Sequence, residues 1–318
     1  MSRRADGQPA ALGSLPRPTA ALAVEYRYRL EGGGEWRRVW RHLRRHRLAV
    51  IGLWCLVMLV LLASLAPLLS PYDPARTSLR ERFQPPNRAH WMGTDELGRD
   101  LYTRVLYGGR ISLAVGVLVA VLSAGLGGLI GATSAYVGGR FDEFTMRIVD
   151  VIRSLPALPI LIILAQVLRQ QFGIKGGFWN IVVILVAFSM TGIARIVRGV
   201  VLSLKEQDFV MAAQSTGVPG VRIVLRHLLP NAMAPMIVAT TLGAGAAINA
   251  ESALSFLGLG IQPPTTSWGN LLFNAQSYLW NDPWIAIFPG LFIFVTLLSL
   301  NFLGDGLRDA LDPRLRRA

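Results

Sequence analysis

Cysteine is almost missing from this 318-residue chain, and histidine and lysine are scarce. Cys55 stands alone inside a long apolar run, so neither an intramolecular disulfide nor a cysteine metal cluster can form. It reads as a small core or lipid-facing residue. The four histidines are His42, His46, His90 and His227. His42 and His46 share a helix face at four-residue spacing, but the arginines around them repel a cation, so no metal ligand is assigned. The phosphate-loop pattern Gly-x-x-x-x-Gly-Lys-Ser/Thr does not occur, which excludes ATP hydrolysis by that chemistry. No Ser-His-Asp or His-Glu-x-x-His arrangement stands on an accessible loop, and no catalytic residue is assigned.

Charge is also sparse. Only 16% of residues are charged against 52% hydrophobic, and the mean hydropathy is +0.44, which excludes a water-soluble domain and implies an integral membrane protein. About 20 apolar residues are needed to cross a bilayer core of roughly 30 Å. Six stretches qualify: Leu48 to Leu69, Ile111 to Tyr136, Ile148 to Leu168, Phe178 to Ile196, Pro235 to Leu257 and Trp284 to Leu303. An all-α protein with six transmembrane helices is therefore expected. The first stretch is too long and too far from the start for a cleaved signal peptide.

Arginine placement orients the chain. Eleven arginines, from Arg3 to Arg47, precede the first span, whereas Gln262 to Pro283 holds no basic residue. Both termini should be cytoplasmic, in agreement with Arg308, Arg314, Arg316 and Arg317. The exception is Ser70 to Arg110, which this topology puts outside although it carries seven arginines. The net charge of +13 could suggest nucleic acid. Orientation and anionic lipid account for most of that excess, and no nucleic-acid partner is inferred.

The spans carry their own marks. Gly127 and Gly131 form a Gly-x-x-x-Gly pair that permits close helix approach. Pro156 and Pro159, after Arg153 and Ser154, should kink the third span, as suits a pathway-lining helix or one bent for packing. Asp150 and Arg153 are three residues apart and are expected to neutralise each other. Arg195 and Arg198 should snorkel to the cytoplasmic interface. Glu251 lies about 20 residues beyond Asn231, so helical rise carries it toward the outer face, where it would line a gate or anchor a solvated turn.

Between the fourth and fifth spans, DFVMAAQSTGVPGVRIVLRHLLPN interrupts the apolar pattern from Asp208 to Asn231. Asp208 is an acceptable N-cap for two helical turns, Gly217 ends them, and Pro219 and Gly220 break direction. Val221 to Leu229 resumes as a second short helix with Val221, Val224, Leu225 and Leu228 as its packing face, and Pro230 stops it. Ala212 and Ala213 allow another backbone close, while Arg222 and Arg226 flank the packing face.

The spacing of Ala212, Ala213, Gly217, Leu229 and Pro230 resembles the cytoplasmic EAA loop of importer permeases in ATP-binding cassette (ABC) transporters. Met211 occupies the position of the loop's glutamate, and His227 stands where an aliphatic residue is usual. Three more stretches resemble the dipeptide and oligopeptide branch: His90 to Gly116, Glu251 to Leu272 and Asn301 to Arg317. The likeness runs from about Trp36 to the C-terminus. It implies a type I ABC importer permease fold in a bacterial inner membrane, and the following division. Residues 1–35 form a disordered cytoplasmic tail, 36–70 the first span, and 71–110 an extracytoplasmic loop. Residues 111–305 form a five-helix core with coupling loop 205–230, and 306–318 a cytoplasmic tail.

By the same resemblance, Asp208, Met211, Ala212, Ala213, Gly217, Arg222, Arg226, His227 and Pro230 couple to an ATPase; from their own chemistry at membrane depth, Asp150, Arg153, Pro156 and Glu251 are pathway or gate candidates. A second homologous permease in a heterodimer, two ATP-binding subunits carrying ATP and Mg2+, and an extracytoplasmic substrate-binding protein are the implied partners, with membrane lipid around them. No cofactor is expected on this chain itself. The implied cargo is di- or oligopeptides. Nickel, glutathione or another small solute is the alternative, and an ion-coupled secondary transporter using Asp150 or Glu251 is a third reading. That last reading lacks the internal repeat such transporters often show.

Overall fold

The structure is a computed structural model that describes residues 35–171, 177–273 and 275–311. Most of the tail 1–35 and the end of the C-terminal tail, with Arg314, Arg316 and Arg317, lie outside these residues. Along the chain come α1 (Glu35–Arg45), α2 (Arg47–Ser64), α3 (Leu101–Val137), α4 (Gly139–Ser154), α5 (Ala157–Gln171) and α6 (Phe178–Leu204). Then follow α7 (Asp208–Ser215), α8 (Met233–Phe256), α9 (Trp268–Phe273) and α10 (Trp284–Leu311), with shorter helical pieces between. Among the described residues no strand forms; Thr94 and Asp100 make one isolated bridge.

Five helices, α2, α3, α6, α8 and α10, are long and apolar enough to cross a membrane. The sixth expected span is a bent pair: α4 and α5 together are long and apolar enough to count as one broken span, with 97° between them. Leu155 precedes Pro156, whose ring disfavours helical backbone before it, and Leu155 is extended (φ −83°, ψ 141°). Helix limits also move outward. The second span begins at Leu101, because Asp100 caps it by accepting a hydrogen bond from the Thr103 amide. The fourth reaches Leu204, and the last continues to Leu311.

α3 makes its most extensive contact with α6. A Cβ on Gly127 would come within 3.0 Å of the Met190 carbonyl and Ile193, and one on Gly131 would run into the Ala194 backbone. The glycine pair thus sets the helix separation, as its spacing predicts. α8 packs against α3, α6 and α10, and α2 packs mainly on α10. Outward-facing Trp54, Met58 and Leu61 of α2 are exposed, as a lipid-facing helix requires.

The arginine-rich loop before α3 is less anomalous than its composition. Asp95 accepts from Arg99 Nε at 2.7 Å and from Arg104, and Glu96 pairs with Arg99 at 3.0 Å. Pairing neutralises these two arginines, and Arg104 already belongs to α3.

Gly131→Val should part α3 from α6 at a cost of about 1–3 kcal/mol. A lower thermal midpoint in detergent is the expected outcome. Gly125→Ala, where a Cβ meets nothing within 4 Å, should leave the midpoint unchanged.

Candidate functional site

The segment from Asp208 to Asn231 forms the expected helix, turn and helix, with its own capping. Gln207 is the N-cap residue of α7, and Asp208 is its first residue without a side-chain cap, which corrects the expectation. There its charge still favours the helix N-terminus. Gly217 has φ +75°, and the Val218 amide donates to the Ala213 carbonyl at 3.1 Å, closing the helix through a left-handed glycine. Pro219 then starts Gly220–Ile223.

Pro230 does not stop the next helix. Val224–Leu228 winds as a π turn, followed directly by Leu229–Asn231, and the Leu229 amide reaches Val224. Proline supplies no N–H, and the wider turn absorbs the missing bond. The buried face is also different from the expected one. Ile223, Val224 and Leu228 are buried, whereas Val221 and Leu225 are exposed.

This buried face joins the membrane core. Val210, Ile223, Val224 and Leu228 form one cluster with Ala132 and Ala135 of α3 and Val197 and Val201 of α6. A Cβ on Gly220 would meet the Tyr136 ring at 2.8 Å. The opposite face is open: Asp208, Met211, Ala212, Gly217, Arg222, Arg226 and Pro230 are exposed, and Ala213 and His227 half-buried. Met211, Val221 and Leu225 make that face partly apolar.

Beside this seat lies a clamp that local spacing did not reveal. Arg198 grips Asp142 through Nε at 2.7 Å and Nη2 at 2.6 Å, and the Ser134 hydroxyl donates to the same carboxylate at 2.6 Å. The Lys205 ammonium donates to the Ala135 carbonyl at 3.2 Å. Arg198 is therefore a tie between α4 and α6 rather than a free snorkelling charge. Asp142 carried no signal in the sequence, since Arg198 is 56 residues away.

Asp150 pairs with Arg195 of α6, not with Arg153. The bend after Ser154 lays Arg153 against α6, where a Cβ on Gly192 would stand 2.8 Å from its Nη1. Arg153 and Arg195 line a groove of about 310 Å³ with Ser123, Ser189, Thr240 and apolar residues of α3, α6 and α8. Pro156 is exposed at the break and does not line it.

Glu251 neither lines an outer gate nor anchors a solvated turn: it is fully buried. Three serine hydroxyls donate to it, Ser255 and Ser267 each at 2.7 Å and Ser112 at 3.1 Å. Each serine in turn accepts a backbone N–H: Ile261 on Ser255 at 3.0 Å, Trp268 on Ser112 at 3.1 Å and Asn270 on Ser267 at 3.1 Å. One carboxylate thus ties the loop after α8 to α3 and α8. The spacing of Ser255, one helical turn beyond Glu251, was readable; Ser112 and Ser267 carried no such mark.

An all-helical bundle with an exposed helix-turn-helix seated on its core is the fold of a type I ABC importer permease. The MetNI methionine ABC transporter in inward-facing conformations has a similar structure, with a TM-score of 0.54 and 18% identity over 66% of this chain and 96% of that one.

Residues 124–317 match the family described as binding-protein-dependent transport system inner membrane component, and residues 34–86 match the N-terminal TM domain of oligopeptide transport permease C. The chain belongs to this family of ABC transporter permeases, in its dipeptide and oligopeptide branch, and is a multi-pass inner-membrane protein. It is 45% identical over 279 residues to the dipeptide transport system permease protein DppC of Bacillus subtilis (strain 168), covering 87% of this chain and 85% of that one. The oligopeptide transport system permease protein OppC of the same organism is 41% identical, over 89% of this chain and 90% of its own. The glutathione transport system permease protein GsiD of Escherichia coli O1:K1 / APEC is 39% identical, over 88% and 91%.

Glu251→Ala would leave three hydroxyls without their acceptor, each loss costing about 1–3 kcal/mol. Hydrogen exchange at the Ile261, Trp268 and Asn270 amides should accelerate roughly ten- to hundredfold. Glu251→Gln, which keeps one acceptor oxygen, should accelerate it less.

Proposed function

We propose that this chain forms half of the translocation pathway of an ATP-driven importer of di- or oligopeptides, working by alternating access. The observation that carries this reading is the segment from Asp208 to Asn231, whose inner face belongs to the membrane core and whose outer face is exposed, partly apolar and built around small Ala212. A groove on an ATPase subunit would take α7 and its turn at Gly217, and Arg222 and Arg226 would meet its rim. Closure of two such subunits on ATP and Mg2+ would then displace α3 and α6 with the segment. With Met211 where the loop's acid is usual, docking rests on shape and apolar contact.

The remaining partners follow from the same reading. A second, homologous permease completes the pathway, with the groove beside Arg153 and Arg195 facing it. An extracytoplasmic binding protein delivers the cargo, and both termini lie in the cytoplasm. Glutathione stays within the proposed substrate class because it is itself a tripeptide, and GsiD supports that variant. Ion coupling loses support, because Asp150 is paired with Arg195 and Glu251 is saturated by serines.

Solubilisation from the native membrane should recover two ATPase subunits and a second permease with this chain; isolation as a stable lone transporter would contradict the reading. Ala212→Arg places a long cation on an exposed helical site without backbone strain. Gly217→Asp adds strain at φ +75° and a charge. Both variants should insert at normal levels but lose ATPase co-purification and at least tenfold of peptide uptake. Normal recruitment and uptake in both would sink the docking role.

A further inference from the structure

The N-terminal helix α1 is used by none of the interactions above, yet it is the most basic element described. Its sequence, EWRRVWRHLRR, repeats apolar residues at Trp36, Val39, Trp40 and Leu43, with arginine filling most of the intervening positions. Such a helix is suited to lie in a membrane interface.

Its placement agrees. The extended backbone at His46 (φ −84°, ψ 95°) breaks α1 from α2, and the His46 Nδ1 accepts the Ala49 amide at 3.2 Å to cap the new helix. Arg47 opens an 18-residue apolar span. At about 1.5 Å per residue that span matches the hydrocarbon thickness, which sets α1 at headgroup depth. Leu43 is buried, and its Cδ1 would stand 3.2 Å from a Cβ on Gly306 of α10, so α1 is held against the end of the last helix.

The charges are left outward. Arg41, Arg44, Arg45 and Arg47 are all exposed, and none makes an ion pair among the described residues. Arg44 lies over the half-exposed Trp40 ring at 5.1 Å, an amphipathic pair of the kind that sits between acyl chains and headgroups. Asp309 of α10 lies 3.6 Å from His46 Nε2 rather than against these arginines.

We propose that α1 and the first turn of α2 form an anionic-phospholipid binding surface, in which Arg41, Arg44, Arg45 and Arg47 hold lipid phosphates while Trp40 and Leu48 enter the acyl boundary. Four unpaired cations on one short interfacial stretch complement an anionic leaflet. The surface anchors the start of α2, and through Leu43 and Gly306 the end of α10, at a fixed depth. It depends on the chain spanning a membrane and not on what is transported.

The full chain, reconstituted in phosphatidylcholine vesicles, is probed with trace spin-labelled phosphatidylglycerol or spin-labelled phosphatidylcholine. Phosphatidylglycerol should associate several-fold more strongly, and 0.5 M salt should reduce that preference. In the Arg41→Gln, Arg44→Gln, Arg45→Gln and Arg47→Gln variant the preference should fall close to unity with the thermal midpoint kept. The matching Arg→Lys variant should retain it. No preference in the unaltered chain, or an undiminished one in the glutamine variant, overturns the proposal. So does loss of ATPase co-purification from the glutamine variant with lipid preference unchanged, which would assign the arginines to a protein partner.

Discussion

The close approach of α3 and α6 at Gly127 and Gly131 sets the geometry of the half of the bundle that seats the segment from Asp208 to Asn231. Lipid chains are as apolar as leucine, so helices in a bilayer gain little from burying oil against oil and depend on tight packing. With Met190 and Ala194 carbonyls against the two glycines, no side chain can be inserted between the backbones. Ala132, Ala135, Val197 and Val201 then form one continuous surface, and Ile223, Val224 and Leu228 fill it. A wider separation would unseat these three and pull Arg198 away from Asp142, which lies on the helix that turns out of α3 at Gly138.

Two carboxylates secure the bundle at opposite ends, and both are saturated. Asp142 receives a bidentate guanidinium and a serine hydroxyl; Glu251 receives three hydroxyls that each pass on a backbone N–H. In a low-dielectric surrounding an unsatisfied donor or acceptor is costly, so a network of this kind holds only when every member is in place. The second network reaches from Ser112 to Trp268, far apart in sequence, and Trp268 is in turn held by its indole N–H on the Val105 carbonyl at 2.9 Å.

Features with a short range in sequence were legible before the fold. Apolar length marked the five unbroken spans and the bent sixth stretch, the glycine pair marked the tight contact, and Pro156 marked the break. Gly217 marked the turn in the interrupting segment. What spacing misassigned were the partners of charges. Asp150 and Arg153 are neighbours on one helix face, but Arg195 of α6 is presented to Asp150 from another helix. Helical rise placed Glu251 near the far end of α8 from Asn231, yet could not see that the loop after α8 folds back to cover it. Pro230 marked the stop only to within a residue or two: the π turn before it absorbs the missing backbone bond, and the helical stretch runs on to Asn231 before the turn at Ala232.

These ties determine where a force on the segment can go. On the proposed reading a partner grips the exposed face of α7, and the first contacts behind that face are Val210, Ile223 and Leu228, packed on α3 and α6. Apolar side chains at native density transmit displacement with little compression. The segment cannot swing alone without opening that core, so α3 and α6 must move with it, and Glu251 holds α8 to Ser112 of α3 at the far ends of those helices. α4 follows through Asp142 and Asp150, whereas α5 begins after a 97° break at Pro156. The junction at Leu155 and Pro156 is therefore the place where a moving body and its neighbour can change angle without breaking a helical hydrogen-bond ladder.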